Sequence, residues 1–240
     1  MVAPGPSGSG ENETMRQVHV LVEGVTEERL VQQVLQQELV PRGIWLTPVT
    51  LKTRRAAGRP HDKGGVSKWS KIEHDIRALL RNSAVDTVTT MLDLYGLPSD
   101  TPGLSDAPAN DAYARVGHVE QAMAQAISDQ RFLPFLVLHE TEAWVLAAAD
   151  ELAELTAVPR LAEVLRSHVA DAGGPELVND GPDTAPSKRL LKAHPAYRKV
   201  VDGPDAIEFL GLDALRAACP HLDTWLKRLE SGSDDGDAAM

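Results

Sequence analysis

Apolar positions along the chain change their period in a regular order. Gln17-Val-His-Val-Leu-Val22 is a short β-branched run, and Thr26–Leu39 follows it with Leu30, Val31, Val34, Leu35 and Leu39 at helical spacing. This pair predicts a strand, a turn and a helix. A second strand is expected around Ile44–Leu51, then a Gly-rich loop, Arg54–Gly65, then a helix in which Trp69, Ile72, Ile76, Leu79 and Leu80 share a face. Asp86–Leu92 reads as a third strand. After a long Pro/Gly/Asp stretch to about Asp111, a helix carrying Val116, Val119, Met123 and Ile127 leads to Phe132–Leu138, an apolar run suited to a strand buried on both faces. The βαβαβαβ alternation predicts an α/β fold, a mostly parallel sheet of about four strands flanked by helices. Beyond Glu140 the pattern is largely helical, broken by a Gly/Pro/Asp loop at Gly173–Pro186. The expected organisation is a disordered leader over 1–15, an α/β domain over 16–150, a helical extension over 151–230 packed on it, and an acidic disordered tail over 231–240.

Composition narrows the class. The chain has 240 residues, 42% of them hydrophobic and 25% charged, which is ordinary globular usage and excludes disorder as a whole. No stretch resembles a membrane span or a basic region followed by an apolar signal, so a cytoplasmic protein without a membrane partner is expected. The single cysteine, Cys219, cannot form an internal disulfide or a thiolate cage, so any bound metal needs oxygen or imidazole ligands. Net charge is −11, which argues against nucleic acid as a partner. The distribution alters that picture. Lys52, Arg54, Arg55, Arg59, Lys63, Lys68 and Lys71 share one stretch with a single acid, Asp62, and Lys188, Arg189, Lys192, Arg198 and Lys199 form a second basic run free of acids. Each run reads equally as a solvated face or as a surface for phosphates.

In an open α/β sheet the ligand sits beyond the carboxyl ends of the strands. Three predicted strands end there in acid: Glu23-Gly-Val-Thr-Glu27, Asp93-Leu-Tyr-Gly96 and His139-Glu-Thr-Glu142. Converging carboxylates without cysteine suit Mg²⁺ or Mn²⁺, hard ions that favour oxygen ligands. Each signal alone has a structural reading too. Glu27 and Glu28 suit the first turn of a helix, Asp93-x-Tyr-Gly suits a turn, and His139 is a ligand, a general acid, an orienting group or a packed ring. Acids at three strand ends in βα order are harder to assign to coincidence.

The Glu-Gly-x-Thr-Glu turn, the Asp-x-Tyr-Gly strand end and the later acid cluster resemble a Toprim-type metal domain, as in the nuclease half of OLD-family proteins. More narrowly, Val22–Glu27, Thr89–Pro98, Arg131–Ala143, Gly174–Asp180, Ala185–Arg189 and Cys219–Trp225 resemble the bacterial family labelled domain of unknown function 4276, over about Val18 to Glu230. The resemblance implies a metal-dependent nuclease that hydrolyses phosphodiester bonds. One or two Mg²⁺ or Mn²⁺ ions would be held by Glu23, Glu27, Asp93, Glu140 and Glu142, with Glu23, Asp93, Lys188 and His139 as the catalytic set. Tyr95 stands where the Toprim Asp-x-Asp element has its second acid, and Glu140 or Glu142 is the natural substitute. Lys52, Arg54, Arg55, Arg59, Lys63 and Arg189 would hold the nucleic-acid backbone, DNA or RNA. OLD-like nucleases work with an ATPase. No Gly-x₄-Gly-Lys-Ser/Thr run exists in this sequence, so an ABC/AAA-type ATPase would come from another chain. A role in anti-phage or anti-plasmid defence and a homo-oligomeric state belong to the same expectation. The alternative is a non-catalytic Toprim-like subunit that scaffolds or regulates an ATPase.

Overall fold

The computed structural model describes residues 15–52, 68–178, 181 and 184–232. The expected leader up to residue 14, the tail from residue 233 and the basic positions Arg54, Arg55, Arg59 and Lys63 lie outside the described residues.

Strand β1 (Arg16–Val22) is central. Its alternation is a two-faced pattern: Val18, Val20 and Val22 enter one apolar core and Leu21 the other. The chain then winds into α1 (Val25–Leu30), passes through a π turn at Val31–Leu35, continues as α2 (Gln36–Leu39) and tightens to a 3₁₀ turn at Val40–Arg42. Gly43, with φ of 73°, ends it in the left-handed conformation that glycine adopts without strain. Strand β2 (Ile44–Thr50) pairs in parallel with β1, α3 spans Trp69–Leu80, and β3 (Thr87–Asp93) pairs in parallel with β1 on its other side. Helix α4 (Ala112–Ile127) starts at Asp111, whose side chain accepts from the Ala114 N–H at 3.0 Å.

The apolar run after α4, expected as one strand, is two short parallel segments on β3. These are β4 (Phe132–Leu133) and β5 (Leu136–Val137). The break is at Pro134, which has no N–H to give to the ladder. Both segments keep the same offset against β3, because the Thr90 hydroxyl fills the gap: it donates to the Phe135 carbonyl at 2.8 Å and accepts from the Phe135 N–H at 2.9 Å. Thr90→Val keeps the shape and leaves both backbone groups buried without that partner. We expect a loss of about 2 kcal/mol, read as a lower urea midpoint, with Thr90→Ser losing less than half as much.

The sheet order is β2-β1-β3-β4, with β5 extending along β3. Helices α3 and α4 cover one face. The other face carries α1 and the later helices: α5 (Glu142–Ala147), α6 (Ala149–Leu155), α7 (Pro159–Ala172), α8 (Pro186–Ala193), α9 (Asp202–Leu210), α10 (Leu212–Ala218) and α11 (Pro220–Ser231). Residues from Leu152 to Leu229 share a single apolar core with Val18, Val20 and Val22, so the helical region is built onto the sheet. Among the described residues, no helix is long and apolar enough to cross a membrane.

Candidate active site

A parallel sheet delivers every strand end to one edge, and here that edge collects the acids. Glu23 follows β1, and its Oε1 accepts the N–H of Asp93 at 3.2 Å, tying the ends of β1 and β3 together. The 3₁₀ turn Leu94–Gly96 lies against the same carboxylate, close enough that a Cβ on Gly96 would stand 3.5 Å from Glu23 Oε1. Asp93 Oδ1 accepts the Thr141 N–H at 3.1 Å, which adds the segment after β5. The buried Thr141 hydroxyl stands 3.4 Å from both Glu27 Oε1 and Glu142 Oε2. Glu27 comes from the first turn of α1 and Glu142 from the first turn of α5. Glu140 is buried beside them, where its Oε1 accepts the Ser187 N–H at 2.5 Å from the first turn of α8.

Crowding carboxylates away from water raises the cost of their charge. Burial, reinforced by Glu27, pushes the Glu23 carboxyl up to about 7. Burial and then the Glu23 charge hold Asp93 well above the usual carboxylate range. Burial raises Glu142 as well, and Lys199 opposes it. The Lys199 ammonium donates to Glu142 Oε2 at 2.9 Å. Burial works against that ammonium, but the charges of Glu142, Asp93 and Glu27 outweigh it and keep its pKa above the ordinary lysine value.

The sequence-predicted residues divide by position. Glu27, Asp93 and Glu142 meet at Thr141, Glu23 joins them through the Asp93 N–H, and Glu140 is tied to α8. His139 is buried at the same edge with φ of 66°, and its carbonyl accepts the Tyr95 N–H at 3.1 Å. Tyr95, at the position where a Toprim Asp-x-Asp element carries its second acid, is 51% exposed. Lys188 is exposed one residue beyond Ser187, with no hydrogen bond or ion pair from its side chain among the described residues. Arg189 faces away into the helical region, donating to the Thr184 carbonyl at 2.7 Å and lying 3.0 Å from His168 Nδ1. Lys52 is exposed at the end of β2, where its N–H is held by Asp75 at 3.0 Å. Sequence reasoning counted Lys199 in a basic run but gave it no role, although it is the ammonium that meets the acids.

The family described as Domain of unknown function (DUF4276) matches residues 22–230. The chain belongs to this family. No curated protein and no solved structure matches the chain. The DUF4276 match spans every acid of the cluster together with Lys199, so strand ends and helical region are parts of one family unit.

The fit of a metal ion rests on the donors. They are carboxylates, the chemistry that hard divalent cations select, and Glu142 Oε1 is a buried acceptor with no hydrogen-bond partner among the described residues. Among the described residues no three His, Cys, Asp or Glu side chains form a ready ligand cage. Lys199 is the positive charge that the cluster has drawn in.

Proposed function

We propose that this DUF4276 protein is a Toprim-type, metal-dependent nuclease that hydrolyses nucleic-acid phosphodiester bonds. The observation that carries the reading is the convergence of Glu23, Asp93, Glu27 and Glu142 at the carboxyl edge of a parallel sheet, where burial and neighbouring carboxylates raise the pKa values of Glu23, Asp93 and Glu142. Acids held this close are costly unless a cation or a proton compensates them. Glu23, Asp93 and Glu27, with Glu142 and Glu140, are the groups that would hold one or two Mg²⁺ or Mn²⁺ ions. A bound ion supplies Lewis-acid activation of water and charge neutralisation at phosphate. The chain's own contribution is placement. Thr141 holds Asp93 with its N–H and offers its one hydroxyl hydrogen to Glu27 or Glu142, and the Lys199 ammonium, half exposed beside them, neutralises a phosphate oxygen as charge builds on it. Lys188, exposed at the first turn of α8, adds positive charge at the rim. The backbone of DNA or RNA is assigned to the basic positions Lys52, Arg54, Arg55, Arg59 and Lys63.

On this reading the protein is a cytoplasmic effector of anti-phage or anti-plasmid defence, working with a separate ABC/AAA-type ATPase. Two observations favour the second reading, a non-catalytic subunit that scaffolds such an ATPase. Lys199 already sits on Glu142, where a cation is needed, and no ligand cage is preformed.

A single assay separates the two. Purified protein is incubated with plasmid DNA and total RNA in Mg²⁺, Mn²⁺ or chelator, beside Glu23→Gln. Metal-dependent cleavage that Glu23→Gln loses is expected. Absence of cleavage in every metal, alone and with a co-purified ATPase, would transfer the assignment to the scaffold.

A further inference from the structure

Three exposed apolar side chains follow the charged residues of the cluster closely in sequence. Val25 is 63% exposed two residues after Glu23, Tyr95 is 51% exposed two residues after Asp93, and Val200 is 40% exposed next to Lys199. Each is carried on fixed backbone. The Tyr95 N–H donates to the His139 carbonyl at 3.1 Å, Leu94 before it is buried, and Gly96 after it lies against Glu23. The Val200 carbonyl accepts from Arg29 Nη1 at 2.9 Å, which ties that segment to α1. Beside the acid cluster, then, the turn after β3 holds the aromatic ring of Tyr95 out to water on a backbone tied to His139 and Glu23.

We infer that Tyr95 is a stacking platform for an unpaired nucleobase, which makes single-stranded nucleic acid the substrate class of this site. The inference rests on the nuclease reading above. A strand that places a phosphate at Lys199 and the acids has its neighbouring base at the rim, and an aromatic face accepts any base because every base has a π-face. A duplex hides its base faces within the stack, so the ring can be covered only by a base that is unpaired or splayed out. A protein partner fits less well, because covering Tyr95 would close off the neighbouring acids and Lys199 without supplying the phosphate chemistry that uses them. The same geometry gives position 95 its use. An aromatic ring there contributes no metal ligand and reads the strand that the acids cut.

The test uses the full chain and oligonucleotides carrying 2-aminopurine, whose fluorescence is quenched when it stacks, titrated in Ca²⁺ as single strand and as duplex. Wild type is expected to bind the single strand more tightly and to quench the probe. Tyr95→Ala is expected to weaken single-strand binding about 10-fold and to remove the quench, with duplex binding unchanged. Tyr95→Phe is expected to retain both. Because the ring is exposed, the alanine variant should melt with the wild type, which shows that folding is intact. Single-strand binding by Tyr95→Ala equal to wild type, or equal losses on single strand and duplex, would overturn the platform. So would binding of neither nucleic acid by wild type. Quenching that depends on Tyr95 in a protein that cuts nothing in any metal, alone and with a co-purified ATPase, would uphold the platform and refute the nuclease reading, so the two fail separately.

Discussion

Asp93→Asn is expected to abolish Mn²⁺-dependent cleavage, by about 10³-fold or more, while making the metal-free protein more stable. The amide keeps the oxygen that accepts the Thr141 N–H, so the junction between β3 and the segment after β5 survives. What it removes is one charge from a crowded set. Asp93 and Glu23 have folded-state pKa values raised above their unfolded values, Asp93 well above and Glu23 from 4.5 to about 7. A carboxyl raised in this way holds a proton in the native state that the unfolded chain has already released. Its stabilising contribution is complete below the unfolded pKa and is lost as pH rises through the folded one. Metal-free wild type should therefore lose stability between about pH 4.5 and 7 and beyond, and Asp93→Asn should flatten that slope. In chelator at pH 8 the variant is expected to melt about 2–4 °C higher, the shift that roughly 1 kcal/mol gives a domain of this size. Mn²⁺ should raise the melting temperature of wild type more than that of the variant. A variant that melts lower in chelator would show that the carboxylate of Asp93 is a structural acceptor, and the cluster would lose its claim to be a cation site.

Much of the fold was legible because periodicity carries it. The alternation of Val18, Val20 and Val22 and the helical spacing from Leu30 to Leu39 place β1 and the helix after it where the structure has them. The fourth strand was legible only as an apolar run. Its division at Pro134 follows from a missing donor that the sequence does display, but its repair by Thr90 comes from a residue 45 positions earlier and depends on register. The internal arrangement of the helices from α6 to α11 was not legible either, since an amphipathic face shows that a helix is covered and not by what. Two of the family motifs, Gly174–Asp180 and Cys219–Trp225, carry contacts that hold the packing together. Glu176 accepts the His221 and Leu222 N–H groups at 2.9 and 3.1 Å at the start of α11, and the Trp225 Nε1–H donates to the Thr89 hydroxyl at 3.0 Å.

The acids of the site were legible for a topological reason. Parallel strands all end at one edge, so an acid immediately after each strand needs no knowledge of side-chain packing to be placed near the others. Lys199 had no such signal. It lies 57 residues beyond Glu142, in the segment between α8 and α9, and only the packing of those helices brings it to the edge. Lys188 entered the expected catalytic set through the family resemblance. The contact which its helix makes with the site is the Ser187 backbone N–H on Glu140.

Lys199→Met is expected to destabilise the protein more as pH rises, and Glu142→Gln is expected to cancel most of that loss. Glu142 is 1% exposed, and one of its oxygens has Lys199 as its ion-pair partner. Breaking a fully buried pair typically costs about 3–5 kcal/mol, because the remaining charge is left without compensation. The Lys199 side chain is 42% exposed, so solvent screens part of the attraction and about 2 kcal/mol is the expected loss at pH 8. The sign with pH follows from Glu142, whose folded pKa is already raised by burial and rises further once the ammonium is gone. At low pH the carboxyl is protonated in both states and the variant approaches wild type. As pH rises the native state must ionise a buried group, and stability falls. In Lys199→Met/Glu142→Gln the buried Glu142 charge is gone together with its partner, so the double variant should recover at least half of the loss and keep only the pH dependence that Asp93 and Glu23 impose. Denaturant midpoints of the four proteins at pH 5 and pH 8 give the coupling directly. Equal losses at both pH values, or no recovery in the double variant, would mean that Lys199 stabilises through its aliphatic packing. The cleavage assay then reads its second role on the single variant: below its melting temperature Lys199→Met is expected to lose turnover, and Lys199→Arg, which keeps the charge, to retain most of it.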